Sequence, residues 1–513
     1  MHRAQRLLSG RWLAGAAALW LLGVELPSAG AQDAVGRGAA RPPVDVTARL
    51  SAERYFLDNG LEVILHPEPA QPRASVLLWY HVGPSSEPAG RSGFAHLFEH
   101  LMFEGSRHVG RDYDVLLESA GATNVNGTTS WDRTNYFATL PPEYLERLLW
   151  LESDRMGYML DGITQQRLDV QRSVVLNERR QSYENAPYGP SSLALLDGLF
   201  PEGHPYHGAV IGSMTDLRAA TLDDVRRFFE QYYAPSNATL AVGGHFDTQQ
   251  VKRWIARYFG TLPARAASGA VAAPPALQPR RVGPTARCLE RSATPWDASA
   301  SDTVPPCTLT PPRVPSLRQS ERLEVREPVQ TSKVAVGWVT APIYTEDDAP
   351  LRLVAAILGA GRSSRLHQAL VVQRRLATET SASLDPTALG GIFCVDAMVA
   401  PGAPADSVER ALQEQLAELA QHPPSAAELA RAKRLLQIDA LTSLQQLVGP
   451  EGESGSLGWL QSFAHYLGDP ALAEHWLARL ELVTPAQIQE VTERYLVNHP
   501  RMTVVTLPDG AAQ

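Results

Sequence analysis

Residues Ser92 to Glu104 read SGFAHLFEHLMFE, and within them His96, Glu99 and His100 spell H-x-x-E-H. The spacing predicts a helix from Gly93 to Phe103, with Phe94, Leu97, Phe98, Leu101, Met102 and Phe103 burying its remainder. On such a helix His96 and His100 lie four apart, one turn above the other on a single face. Two neutral imidazoles at that spacing can grip one zinc ion. Glu99, three after His96, shares the face and could take a proton from a water held by the metal. The order inverts the commoner H-E-x-x-H. Short motifs also arise by chance, so a third ligand from elsewhere in the chain is needed.

The flanking sequence supplies a sheet for that helix. Upstream, Arg54 to Leu57, Asp58-Asn59-Gly60 and Leu61 to Leu65 read as strand, turn and strand, and Ala74 to Val82 as a third, largely buried strand. Downstream, Thr and aromatic residues set between Gly and Asn predict strands over 123–130 and 133–140. Helical periodicity follows in Pro142 to Met159 and Gln165 to Gln181. A further helix spans Thr221 to Tyr233, opened by an N-cap Thr, and a strand covers Ala238 to Phe246.

Pro263 to Pro315 is rich in Pro, Ala, Ser and Thr without periodicity, and reads as a linker. Beyond it the chain echoes itself. Thr484 to Tyr495 and then Met502 to Leu507 repeat the pattern of Thr221 to Tyr232 and Ala238 to Val242, and Val334 to Val339 repeats Ala74 to Val82. The expected fold is therefore α+β, with two homologous domains, each a mostly antiparallel sheet packed with helices. The expected boundaries are 46–262 for the first domain, 263–318 for the linker and 319–513 for the second. Only the first half carries H-x-x-E-H.

At 513 residues the chain has room for two or more domains. Its net charge of −9, without a dense Lys/Arg run, argues against nucleic-acid binding. Arg3, Arg6 and Arg11, the apolar stretch Trp12 to Val24 and the small-residue site Ala29-Gly30-Ala31 read as a cleaved signal peptide over residues 1–31. The expectation is a periplasmic or secreted protein with no membrane span after cleavage. Export permits a disulfide between Cys288 and Cys307, whereas Cys394, in an apolar run, reads as a buried thiol.

The candidate third ligand lies in Gln165 to Tyr188, where Val174, Val175, Glu178 and Arg179 form V-V-x-x-E-R. A carboxylate from a second helix would complete a His2Glu site with a fourth position left for water. Taken alone, Glu178 reads as a solvated helix residue, as most glutamates are.

Several ordered motifs together go further. GFAHLFEHLMFEG (Gly93–Gly105), NGTTSWDRTNY (Asn126–Tyr136), VVLNERRQSYENAPYG (Val174–Gly189), HPYHGAVIGS (His204–Ser213), FEQYYAPSNATLAVGGHFD (Phe229–Asp247) and LGAGRSSRLHQALV (Leu358–Val371) occur in this order. The sequence resembles the pitrilysin/insulinase clan of inverzincin zinc metallopeptidases, in the two-domain branch that includes mitochondrial processing peptidase and its bacterial relatives. The resemblance covers roughly 50–262 and 320–510. It implies one Zn2+ per chain held by His96, His100 and Glu178, with Glu99 as general base in hydrolysis of unfolded peptides. It also implies that Asn126 and Gly127 lie on an edge strand that captures extended peptide by strand addition. Read from residues alone, Asn126-Gly127 is equally a turn pair.

Two departures stand out. Some relatives carry a Glu seven before the third ligand; here the position is Gln171, and no role is assigned to it. Self-sufficient relatives also present an Arg and a Tyr seven apart in the second domain, where this chain has Val371 and Thr378. The resemblance therefore implies a homologous partner subunit, in a heterodimer or a homodimer. The runner-up is a non-catalytic peptide-binding or structural subunit. A zinc-buffering protein would favour His-rich runs, which the sequence lacks.

Overall fold

The computed structural model describes residues 50–110, 113–264 and 317–510. The expected signal peptide, Cys288, Cys307 and all but the ends of the expected linker lie outside the described residues. No helix among the described residues is long and apolar enough to cross a membrane.

The first half opens with β1 (Glu53–Phe56), β2 (Glu62–Pro67) and β3 (Ala74–Tyr80), then α1 (Phe94–Leu101) and α2 (Tyr113–Ser119). The hairpin β4 (Thr123–Ser130) and β5 (Arg133–Leu140) follows, then α3 (Leu145–Gly162), α4 (Gln165–Arg179) and α5 (Gly189–Leu199). It closes with α6 (Met214–Ala219), α7 (Leu222–Tyr232), β6 (Ala238–Gly244) and α8 (Thr248–Tyr258). The second half runs β7 (Glu321–Glu327), β8 (Lys333–Val339), α9 (Asp348–Gly359), β9 (Ala377–Asp385) and β10 (Ile392–Val399). After these come α10 (Ala405–Gln421), α11 (Ala426–Ser443), α12 (Gly455–Leu467), α13 (Trp476–Leu482), α14 (Pro485–Thr492) and β11 (Met502–Pro508).

Two sheets result, ordered β1-β2-β6-β3-β5-β4 and β7-β11-β8-β10-β9. In each, the last strand of the half returns to an interior position, parallel to one neighbour and antiparallel to the other, and the remaining pairs are antiparallel. The repeat extends to detail. Thr221 and Thr484 both form capping boxes, with Asp224 and Gln487 respectively, before the helix that leads to the returning strand. The α+β fold of two sheet-and-helix halves is as expected from sequence.

Each half lends one helix to the other. The first sheet buries Val63, Val76, Leu78 and Tyr136 against its own helices. Ile64, Leu77, Trp79 and Phe137, on the opposite face by strand alternation, join the core of the second half. On that face lies α12, whose buried Gln461 donates to the carbonyls of Leu77 (3.0 Å) and Thr239 (2.8 Å). Reciprocally, α5 places Leu195 and Leu199 in a cluster with Ala335, Val339, Met502 and Val504 of the second sheet. The buried Glu327 of β7 accepts from the Ser191 amide (2.9 Å) and hydroxyl, fixing the first turn of α5. A buried carboxylate there complements the positive end of the helix.

Candidate metal centre

Helix α1 forms where the sequence predicts it. Phe94, Leu97, Phe98 and Leu101 are fully buried in the first half's core, and the histidines fall on the opposite side. Its N-terminus is set by close backbone contact. Gly93 precedes the helix at φ 86, and a Cβ there would stand 2.5 Å from the carbonyl oxygen of Ile211 and 3.0 Å from the Cα of Gly212. Gly212, at φ 75, would in turn drive a Cβ into the backbone of Ser92 and Gly93. The HPYHGAVIGS motif thus carries, as its penultimate residue, a glycine that lets a second segment lie flush on the start of α1. Ser92 fastens the junction by donating to Asp216 (2.6 Å) and accepting from the Ser213 amide (2.9 Å). Glu87 caps the helix, accepting from the amides of Gly93 (2.9 Å) and Ala95 (2.7 Å).

Helix α4 brings Glu178 to the histidines. His96 Nε2 lies 3.7 Å from Glu178 Oε1 and His100 Nε2 3.2 Å from Oε2. His96, His100 and Glu178 each offer a ligand atom within 4.8 Å of the others, and no other such group of three occurs among the described residues. Arg179, next to Glu178, donates to the Gly212 carbonyl and ties α4 to the same junction that seats α1. Gln171, two turns before Glu178, donates to Glu104 (2.5 Å) and stands beside His100.

The donor set fits a zinc ion. Ligand atoms ~2.0–2.1 Å from a tetrahedral zinc stand about 3.3 Å apart, close to the 3.2 and 3.7 Å separations here. Glu178 Oε2 is buried without a hydrogen-bond partner, the close contact with His100 lacking hydrogen-bond geometry. A buried carboxylate oxygen in that condition is costly unless a cation satisfies it. Without the ion, the three groups compete for protons. Burial, then the charge of His100, pulls the His96 imidazole down despite Glu99 and Glu178. Burial acts the same way on His100, but contact with Glu178 and the negative charge of Glu99 outweigh it and hold this imidazole up. Burial would raise the Glu178 carboxyl; the two imidazoles overcome it and hold it down.

Glu99 faces the edge strand. Thr129 Oγ1 donates to its Oε2 at 2.6 Å, and a Cβ at Gly127 would stand 3.1 Å from its Cγ. Asn126 and Gly127 lie in β4, the edge of the first sheet, paired with Phe137 and Tyr136, and not in a turn. Asn126 is exposed and Gly127 buried. Sequence reading missed Thr129 and Glu87. Both are ordinary polar residues whose partners lie 30 and 8 positions away, and the alternation of β4 was the available signal for Thr129. Cys394 is half-buried in β10 and faces a cleft between the halves, not a sealed core. Val371 lies in a π-helical turn and Thr378 in β9; neither lines the cavities beside the triad.

A fold of two sheet-and-helix halves, one of them bringing two histidines and a glutamate together, has the form of a two-domain pitrilysin-type peptidase. The chain belongs to the insulinase family of peptidases, family M16: residues 62–191 match the model described as "Insulinase (Peptidase family M16)" and residues 219–436 that of the "Peptidase M16 inactive domain". It is 26% identical to the zinc protease PqqE of Helicobacter pylori over 77% of this chain and 80% of that protein. It is 25% identical to a probable mitochondrial-processing peptidase subunit beta of Schizosaccharomyces pombe over 48% of this chain and 52% of that one. A Helicobacter pylori protease structure superposes with a TM-score of 0.73 at 23% identity, covering 89% of this chain and 99% of that one. The periplasmic protease PqqL of Escherichia coli superposes at 0.65 and 18% identity, covering 90% of this chain and 48% of that one. At these identities the superpositions speak for the fold.

Proposed function

We propose that this chain is an exported zinc endopeptidase that hydrolyses peptide bonds of unfolded peptides. The observation that carries the reading is the convergence of His96, His100 and Glu178 beside a Glu99 held by Thr129. His96, His100 and Glu178 would hold one zinc ion per chain. Zinc bound there would supply Lewis acidity at the scissile carbonyl and shift the ionisation of water toward neutral pH. Glu99 is the general base: its Oε2, oriented by the Thr129 hydroxyl, takes the proton of the attacking water and later passes it to the leaving amine. The exposed edge of β4, with Gly127 against Glu99 and Asn126 next to it in the strand, would pair with substrate backbone, which admits many sequences.

Residues 46–262 and 319–513 are read as the two domains, joined through 263–318, with residues 1–31 removed on export to periplasm or medium. Val371 and Thr378, where self-sufficient relatives carry Arg and Tyr, favour a homologous partner subunit that supplies those groups. A heterodimer is the sharper form and a homodimer the alternative. The same two positions favour the second reading, a non-catalytic peptide-binding subunit. One of the relatives is itself named as a subunit.

Cleavage of an unfolded peptide by the chain, with and without a candidate partner, tests the reading beside Glu99→Gln. Turnover that needs zinc and vanishes in Glu99→Gln supports the peptidase. A zinc-loaded chain that binds peptide and cuts none under any pairing would establish the subunit reading in its place.

A further inference from the structure

On the face turned away from α1, the β4–β5 hairpin is held by a loop of the second half, 448–454, between α11 and α12. Asn124 Nδ2 donates to the Val448 carbonyl (3.1 Å), and Thr128 Oγ1 (2.9 Å) and Asn135 Nδ2 (3.2 Å) donate to the Glu451 carbonyl. Gly452, at φ 68, lets the loop lie flush on the hairpin. A Cβ there would stand 2.5 Å from Asn135 Nδ2 and 2.8 Å from Phe137 Cε1. Asn124, itself left-handed at φ 54, lies in the register shift of β4 just before Asn126 and Gly127. The loop therefore meets β4 on both sides of the stretch that carries those two residues.

Arg133 ties this contact to the strand. It is almost wholly buried, stacks on Trp79 (5.3 Å to the ring centre) and pairs with Glu453 of the loop, Nε to Oε1 at 2.9 Å. The same guanidinium donates through Nη1 to the Thr128 carbonyl (2.8 Å) and hydroxyl (2.6 Å). A buried cation needs both its charge paired and its donors met, so Glu453 and Thr128 are held in fixed relation. Thr128 and Thr129 are neighbours in β4 and point to opposite faces. One face carries the Arg133–Glu453 pair and the other the Thr129–Glu99 bond.

We propose that Arg133 is a positioning residue for hydrolysis: by joining Glu453 to Thr128, it makes the aim of Glu99, through Thr129, depend on the docked second half. The inference rests on the peptidase reading and deepens it, giving the half without H-x-x-E-H a part in turnover. Glu453 is itself half-exposed, so truncating it takes little from the core.

The test follows cleavage of an internally quenched, unfolded peptide by the full chain in its active assembly. Glu453→Ala should lower kcat about tenfold, with zinc content equal to that of the unaltered chain. Glu453→Gln keeps an acceptor for Arg133 and should recover part of the loss. The deciding comparison adds Thr129→Val. With Arg133 acting through the Thr129–Glu99 bond, Glu453→Ala should cost less than about twofold in that background. Should Glu453→Ala not fold, Glu453→Gln serves the same comparison with a fall of about threefold. A fall that recurs in full beside Thr129→Val, or no fall without it, would overturn the positioning role and leave the peptidase reading intact. No turnover by the unaltered chain under any pairing would overturn both.

Discussion

Thr129 donates a hydrogen bond of 2.6 Å to Glu99, joining the edge strand β4 to the helix that carries both histidines. The carboxylate proposed as base is thus oriented by a residue of the strand proposed to hold substrate. Thr129→Val keeps the shape and removes the donor. A hydrogen bond to a charged group is worth about 1.5–3 kcal/mol, and part of that is needed to hold Glu99 in register. The expected outcome in the active assembly is a fall in kcat of about tenfold, with KM, zinc content and Tm nearly unchanged. A matching loss of zinc would assign Thr129 a merely structural role.

The flush contact between Gly93 and Gly212 yields a second expectation. Gly212→Ala places a Cβ against backbone at a left-handed residue, where no side chain can swing aside. The cost should be at least about 2 kcal/mol, from strain and displacement together. Because Arg179 bonds the Gly212 carbonyl, the shift should reach Glu178 as well. Thermal melts and zinc titration of the variant should show lowered Tm and weakened zinc binding together; a lower Tm with unchanged zinc affinity would uncouple the junction from the site.

Glu87 sets a pH dependence. Burial pushes its carboxyl from 4.5 up to about 7, against the opposing hydrogen bonds from the Ala95 and Gly93 amides. With the folded pKa above the unfolded value, the folded state binds the proton more tightly. This group's stabilising effect is fully present below about pH 4.5 and is lost as pH rises through about 7. Denaturant unfolding of the chain and of Glu87→Gln across this window should show the difference in stability moving in favour of the variant as pH rises. A constant difference would contradict the assignment.

Much of this architecture is legible in the residues themselves. The strands at 123–130 and 133–140 fall where Gly, Asn and Thr punctuation puts them, and Thr221 opens its helix as an N-cap. His96, Glu99 and His100 are readable because helical spacing puts chemistry on one face. Glu178 is different: a lone glutamate on α4 becomes significant only through the surrounding V-V-x-x-E-R pattern, since nothing local says which helix faces it. The exchange of α5 and α12 between the halves was not readable at all. An apolar helix face records that it is buried and not which sheet covers it. Asn126-Gly127 reads equally as a turn pair and as part of the strand over 123–130, and pairing with β5 decides for the strand.

His96, His100 and Glu178 are placed to hold one zinc ion. The metal content of the purified chain after dialysis, beside Glu178→Gln, tests this. One zinc per chain is expected, and its loss in the variant, with the fold retained by circular dichroism. A chain that binds no zinc, or a Glu178→Gln variant that holds as much as the unaltered protein, would contradict it.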